Sequence, residues 1–198
     1  MNGYILTTTA KTNGWVVYEN DISLDYKEFF KGELLPSEEL PLFYDIPKSS
    51  NLKKIKSAVF LESAGPELVS QRLKEVLETL TEDIQFFDVD LFCGKEKVEG
   101  FYAMNLPHHM KCVDLENSGF RLMNFDRNNP EYMFYYMKLR ENIFNDDNAD
   151  IVRCEEMHRS IVVNDKIKKA LFEAGLKGLQ FSNSIDITPK ERTIYERI

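Results

Sequence analysis

The sequence predicts an α+β fold with a mostly antiparallel β-sheet and two principal helices, in a single domain of one or two lobes over residues 1–198. Between Glu82 and Arg140, apolar residues recur with a period of two, which is typical of half-buried strands. Two other segments carry apolar residues at helical spacing. Because 43% of the 198 residues are hydrophobic, the chain is able to bury a sizeable core.

The first predicted helix follows an irregular N-terminal lobe of about 1–64, in which ILTTT and WVVY are short candidate strands. We expect the helix to begin at Gly65-Pro66, because the missing N–H of proline has no partner at a first helical position. The apolar residues that share one face of this helix are Val69, Leu73, Val76, Leu77 and Leu80.

Four runs with a period of two predict the antiparallel sheet: QFFDVDL, VEGFYAMNL, GFRLMNF and YMFYYMKL. Turn-prone stretches such as CGKE and DRNNPE separate them. Short connections of this kind join antiparallel strands, so we expect a sheet of four or more strands.

The last third reads as strand, helix and strand, followed by a tail over 182–198. RSIVV is short and β-branched, and Asn164 is a suitable N-cap with Asp165 in the first turn. Ile167 and Leu171 then begin an apolar helical face, and Gly175 suits the left-handed position that ends a helix. LKGLQF returns to extended chain.

Composition narrows the class of partner and the compartment. The formal net charge of -8 argues against nucleic acid as the main partner, since phosphate binding is driven by Lys and Arg. No stretch reaches the ~18 apolar residues of a membrane span, and the N-terminus lacks an export signal. Three cysteines without close pairing favour reduced thiols. We therefore expect a cytoplasmic protein with no membrane partner.

Two pairs of residues suggest chemistry, namely His108 with Cys112 and Cys154 with His158. Four such ligands could hold zinc if they converged, and Cys154 with His158 could form a thiol and base pair. The alternative is that the cysteines are buried and the histidines lie on the surface. No glycine-rich phosphate loop or orienting acid accompanies either pair, so we predict no catalytic residue, metal site or cofactor.

Several segments together resemble a known family. KCVDLENS at 111–118, PELVSQRLKEVLE, FYAMNLPHHMKCVD and ADIVRCEEMHRSIVVNDKIKKALFEAGLKGLQF match, in order and spacing, the pattern of bacterial immunity proteins of polymorphic toxin systems, immunity family eleven. Matching positions run from about Leu68 to Phe181, a family-like region of about 65–181. Val152 stands where the family often has phenylalanine, and Asn164 where it usually has serine.

The resemblance implies a binding protein that captures a cognate toxin domain and blocks it, without catalysis and without a cofactor. Asp and Ser side chains at a strand-to-turn junction bond nearby backbone N–H groups, which suits a structural role for the family motif. The motif residues in this chain are Cys112, Asp114, Ser118, Arg153, Gly178 and Phe181.

An acidic segment is the predicted contact surface for such a partner, because negative charge can steer a basic protein. Its residues are Asp146, Asp147, Asp150, Glu155 and Glu156, with Phe144 as an aromatic anchor. A solvated acidic loop is the alternative. A second candidate surface consists of Asp25, Tyr26, Phe29, Phe30, Phe43 and Tyr44, with the alternative that these aromatics are core. An adaptor module and a small metal- or thiol-dependent enzyme are the other function classes.

Overall fold

The computed structural model describes residues 1–10, 12, 15–36, 40–124, 130–145, 149–186 and 193–198. The strands are β1 (Gly3–Thr8), β2 (Val17–Tyr18), β3 (Phe43–Ile46), β4 (Phe60–Leu61), β5 (Leu68–Ser70), β6 (Gln85–Asp88), β7 (Asp90–Cys93), β8 (Glu96–Lys97), β9 (Phe101–Asn105), β10 (His109–Met110), β11 (Gly119–Leu122), β12 (Tyr132–Lys138), β13 (Ile151–Cys154), β14 (Ile161–Asn164), β15 (Leu179–Ser182), β16 (Ser184–Asp186) and β17 (Glu196–Arg197). The helices are α1 (Leu52–Lys56), α2 (Gln71–Glu78) and α3 (Asp165–Glu173), with a 3-10 helix at Tyr26–Phe30.

A six-stranded sheet in the order β10-β13-β14-β1-β15-β17 organises one half of the molecule. The first strand lies in its middle, where Ile5 pairs with Val162 of β14 and with Ser182 of β15. All pairings in this sheet are antiparallel except that of β10 with β13. The N-terminal segment is therefore fixed between two strands of the C-terminal third.

Both faces of the six-stranded sheet are covered. Leu73 and Leu77 of α2 and Ile167 and Leu171 of α3 belong to one fully buried cluster with Val163 of the sheet. On the other face, side chains from the three-stranded sheet β11-β12-β16 form a second cluster. This cluster includes Ile5, Val152, Val162, Phe134 and Met137. Alternate residues of one strand thus serve two cores, as the pleat of a strand dictates.

Two four-stranded sheets, β2-β3-β7-β8 and β4-β5-β9-β6, build the other half of the molecule. A third apolar cluster joins them, with Tyr44, Leu68, Leu91 and Ala103 among its buried members. Phe29 of the 3-10 helix is also fully buried in this cluster. The 3-10 helix is thereby held against the two four-stranded sheets. The ring of Phe30, the residue after Phe29, lies over the guanidinium of Arg153 in β13.

The predicted α+β class, the mostly antiparallel sheets and the two main helices are confirmed. Asn164 caps α3 through its Oδ1, which accepts from Ile167 N at 3.0 Å, and Gly175 has a φ of +61° directly after the helix. The predicted start of α2 at Gly65-Pro66 is wrong. Ser70 is the N-cap, because its Oγ accepts from Leu73 N and the residues before it pair with β9.

QFFDVDL is two strands in different sheets and not the single strand that its alternation predicts. β6 pairs with β9, whereas β7 pairs in parallel with β3. The period of two continues across the break, since Phe87 and Leu91 are both buried. Within the residues described, none of the helices has the length and apolar character that crossing a membrane requires.

Candidate functional site

A buried arginine on β13 fixes the turn that follows this strand. Arg153 has no solvent exposure, and its Nη1 and Nη2 donate to Glu67 Oε1 and Oε2 at 3.0 and 2.7 Å. Nη1 also donates to the carbonyl oxygen of His158 at 2.6 Å. The Phe30 ring lies over the guanidinium, with 4.6 Å between its centroid and Cζ. The bidentate geometry offsets the several kcal/mol that burying two charges costs. Because Arg153 also bonds the carbonyl of His158, the ion pair positions the turn after β13.

Two histidine rings lie beside this buried ion pair. The His109 and His158 centroids are 5.8 Å apart, and His158 stacks on Phe30 at 6.5 Å with a 15° angle between the planes. Burial lowers the pKa of His109 to about 4, and the positive charges of Arg153 and His158 add to this effect. His109 is therefore neutral at pH 7. We call Arg153, Glu67, Phe30, His109 and His158 the arginine cluster.

Arg159 follows His158 in the turn and is exposed at the surface next to the arginine cluster. Its Nη1 donates to Ser63 O at 2.9 Å and its Nη2 to Ala64 O at 3.0 Å. The indole of Trp15 covers the guanidinium at 5.7 Å, while 61% of Trp15 remains exposed. Tryptophan and arginine are both enriched among the residues that contribute most binding energy at protein interfaces. We call this arrangement the Trp15–Arg159 pair.

A cavity of about 170 Å³ opens beside the Trp15–Arg159 pair. Its lining combines apolar side chains with the carboxylates of Glu62 and Glu67. The apolar members of the lining are Ile5, Leu6, Phe60, Met157 and Ile185. Burial of the Glu62 carboxyl raises its pKa, and the negative charge of Glu67 raises it further. The Glu62 residue as a whole is nevertheless exposed. Arg159 opposes this shift.

A second, more open cavity of about 390 Å³ shares Arg159 with the first. It is lined by Tyr26, Lys27, Phe30, His158 and Arg159. The first cavity contains two carboxylates and several apolar side chains, whereas the second contains aromatic and basic side chains. Arg159 therefore contributes to two cavities of different chemistry.

The structure brings Cys112 and Cys154 together, whereas His108 and His158 lie in other contacts. Cys112 and Cys154 are fully buried, and Glu156 Oε2 accepts from Cys112 N at 3.0 Å and from Cys154 Sγ at 3.3 Å. A hydrogen bond with Cys154, together with burial, raises the pKa of the Cys112 thiol. His108 Nε2 lies 3.7 Å from Asp83 Oδ1 instead. Across the described ranges, no three His, Cys, Asp or Glu side chains are grouped as metal ligands.

The family-motif residues at 112–118 form a turn. Asp114 Oδ1 accepts from Asn117 N at 3.2 Å and its Oδ2 from Asn117 Nδ2 at 2.8 Å, which lowers the pKa of Asp114. Ser118 Oγ accepts from Lys138 N at 2.9 Å and so connects the turn to β12. These contacts lie within one local segment and its neighbouring strand.

Two further motif residues, Gly178 and Phe181, lie directly before β15 and within it. Gly178 has a φ of +100°, a conformation that side chains with a Cβ rarely adopt, and its carbonyl accepts from Thr9 N at 2.8 Å. Phe181 is fully buried between α3 and the sheet. Both residues therefore have structural roles in the fold.

The predicted acidic contact surface is corrected at Phe144. This ring is only 4% exposed and packs in the cluster under β12, so it offers no anchor to a partner. Asp150 accepts from Asn164 Nδ2 at 2.6 Å and pairs with Lys166. Glu156 bonds the buried Cys112 and Cys154, while Glu155 is exposed. The predictions for Asp146 and Asp147 lie outside the described residues.

The second predicted surface divides between core and surface. Phe29 and Tyr44 are buried, as the core alternative expects, whereas Tyr26 and Phe30 line the open cavity. Sequence reasoning missed the Trp15–Arg159 pair, because the two residues are far apart in the chain. The available signal was the single tryptophan, placed next to a glycine in an irregular segment.

Comparison with known proteins places these features in a family. No curated protein matches the chain. The Immunity protein family (Imm11) matches residues 10–186, which include the Trp15–Arg159 pair, the arginine cluster and the motif turn. Since this match covers most of the 198 residues, the chain belongs to the Immunity protein family (Imm11).

Proposed function

We propose that this protein binds a cognate toxin that acts in the cytoplasm and neutralises it by occupying the toxin's active surface in a stoichiometric complex. Membership of an immunity protein family is the observation that carries the proposal. Occlusion needs a rigid surface and no bond-making group. The turn after β13 is our candidate for this surface, because the buried Arg153 of β13 bonds the carbonyl of His158 in this turn and the exposed Arg159 donates two hydrogen bonds.

The net charge favours a toxin with a basic active surface, such as a nuclease. An enzyme that cuts nucleic acid binds phosphates with Lys and Arg. A chain of formal charge -8 is attracted to such a cleft and associates rapidly with it at low salt. The same attraction favours occlusion of the residues that would hold the substrate.

A reducing compartment is consistent with the thiols. Cys93, Cys112 and Cys154 are free thiols in the structure, and Glu156 Oε2 accepts from both Cys112 N and Cys154 Sγ. Free thiols are usual in the cytoplasm, whereas exported proteins more often carry disulfides. This supports a toxin target inside the producing cell.

Glu155 is the predicted acidic contact that remains both described and exposed. It lies in the same turn as His158 and Arg159, between β13 and β14. We therefore place the toxin contact on this turn and on the neighbouring Trp15. We propose that Asp150 and Glu156 support the contact surface from within, since both carboxylates form hydrogen bonds inside the protein.

The test uses the toxin encoded next to this gene. We expect cells that express the toxin to stop growing, and co-expression of this protein to restore growth. Purification should yield a complex of fixed stoichiometry, with an association rate that falls as salt increases. Growth arrest that this protein does not relieve, or turnover of a substrate by the isolated protein, would overturn the proposal.

A further inference from the structure

We propose that the cavity beside the Trp15–Arg159 pair receives a lysine or arginine side chain of the toxin, with its cation against Glu62 and its aliphatic stem against the apolar wall. This inference rests on the proposed function, because it names the chemistry of the contact that the toxin makes. Glu62, Trp15 and the cavity lining carry it.

The size of the cavity favours a single side chain. Its volume of about 170 Å³ lies below the roughly 300–1,000 Å³ of small-molecule sites. Its lining includes the apolar side chains of Leu6, Phe60 and Met157 together with the carboxylates of Glu62 and Glu67. Long basic side chains bury their methylene groups along apolar surface and keep the charged end at a polar group, so they fit a lining of this composition.

The lining contains Glu62, Glu67 and the cation Arg159, and the Glu62 carboxylate is the group that favours a cation over an acidic group as the occupant. Both oxygens of Glu67 are engaged by Arg153, which leaves Glu62 as the carboxylate of the lining with capacity for a new bond. Within the described residues, no hydrogen bond to the Glu62 carboxylate contributes to its pKa. Arg159 directs its Nη1 and Nη2 donors to the carbonyl oxygens of Ser63 and Ala64 instead. Burial raises the pKa of Glu62, and the charge of Glu67 raises it further, so an incoming cation would stabilise the charged carboxylate as Arg159 already does in part.

Trp15 supplies the rim of the site. Its ring centroid already lies 5.7 Å from Cζ of the Arg159 guanidinium, and 61% of its surface is open to a second partner. Desolvation of this exposed ring and contact of its face with a cation both favour binding. A second copy of this chain is a poor occupant, since two chains of charge -8 repel each other.

The experiment measures the affinity of the toxin domain for four variants by titration calorimetry. Glu62→Gln removes the charge and keeps the shape, and Trp15→Ala removes the rim. The matched controls are Glu116→Gln, at an exposed carboxylate in the motif turn, and Tyr135→Ala, at a half-exposed aromatic of β12. We expect the first two variants to weaken binding at least about tenfold and the controls to change it by less than about threefold.

Trp15 is the only tryptophan in the chain, so its fluorescence reports directly on the site. With a tryptophan-free toxin domain, we expect a blue shift of the emission on binding in the wild type and in Glu116→Gln. A charge swap completes the test. Glu62→Lys should abolish tight binding, and exchange of one toxin lysine or arginine for glutamate should restore it.

The outcomes separate the two proposals. If the toxin binds all four variants with wild-type affinity, the cavity is not the contact, while the proposed function stands. If the toxin binds neither the variants nor the wild type, the proposed function fails first. Thermal unfolding of each variant shows whether it is folded, and the exposure of Trp15 and Glu62 predicts that both variants are.

Discussion

Arg153 and Glu67 are 86 residues apart in the chain and form a bidentate ion pair in which neither side chain is open to solvent by more than 7%. The pair joins β13 of the six-stranded sheet to the segment directly before β5, in the other half of the molecule. Arg153 also bonds the carbonyl of His158, so the same contact positions the turn that carries Arg159. Stability and the shape of the candidate contact surface therefore depend on one buried pair.

The first prediction concerns the cost of breaking this pair. Glu67→Ala leaves an unpaired guanidinium in the core, and we expect it to lower the free energy of unfolding by about 3–5 kcal/mol. Urea unfolding monitored by circular dichroism measures the change. Glu96→Ala is the matched control, because its pair with Lys56 is half exposed, and we expect a change of less than about 1 kcal/mol. Equal effects of the two substitutions would contradict the role of the buried pair.

The second prediction is a loss of stability in mild acid through His109. Its pKa is about 4 in the folded protein against 6.5 for an ordinary histidine, so between these pH values the unfolded chain binds a proton that the folded chain does not. The free energy of unfolding then falls as the pH drops below about 6.5, and the stabilisation that comes from the neutral His109 is lost in full below about pH 4. After allowance for partial solvent screening, we expect about 1–2 kcal/mol from this group.

His109→Asn tests the assignment by urea unfolding at pH 7 and at pH 4.5. We expect the variant to lose less stability than the wild type between the two pH values. His108→Asn is the control, since His108 lies exposed on the surface near Asp83. If both variants keep the wild-type pH dependence, another group is responsible for it.

The third prediction separates backbone strain from a close contact. Gly32 has a φ of +74°, and an added Cβ would lie 3.2 Å from His109 Cγ and 3.3 Å from Pro107 O. Gly100 has a φ of +82° with no atom within 4 Å of such a Cβ. We expect Gly100→Ala to cost about 1–2 kcal/mol from the left-handed conformation alone, and Gly32→Ala to cost more.

Thermal unfolding of both alanine variants gives the comparison, and the difference between them is the contribution of the contacts with His109 and Pro107. In Gly32→Ala we also expect the pH dependence from His109 to change, because the ring must move to admit the methyl group. A Gly32→Ala variant as stable as Gly100→Ala would show that the ring yields without cost.

Local patterns predicted the elements whose ends are set by nearby residues. Asn164 and Gly175 bound α3 as expected, since a cap depends on side chains within three or four residues. The start of α2 was wrong because Leu68–Ser70 pairs with β9, a contact made across some thirty residues. Proline chemistry favours a helix start at Pro66, but strand pairing decides the outcome.

The candidate site was harder to predict, because it depends on pairs far apart in the sequence. Phe144 and Phe30 are both aromatic residues near acidic segments, yet one is buried under β12 and the other lines a cavity. Nothing in their local sequence distinguishes them. Arg153 was part of the family motif, but its partner Glu67 follows only from the way β5 and β13 are brought together.

The last prediction concerns the reactivity of the three free thiols. Cys112 and Cys154 have no solvent exposure, and a hydrogen bond with Cys154 raises the pKa of Cys112 and so reduces its reactive thiolate form. Cys93 is half-buried at the end of β7. With a thiol reagent at pH 8, we expect one cysteine to react rapidly and two to react at the rate of unfolding. Cys93→Ala should remove the rapid phase, whereas Cys112→Ala should leave it unchanged. A rapid phase that persists in Cys93→Ala would show that the β10–β13 edge opens in the native protein.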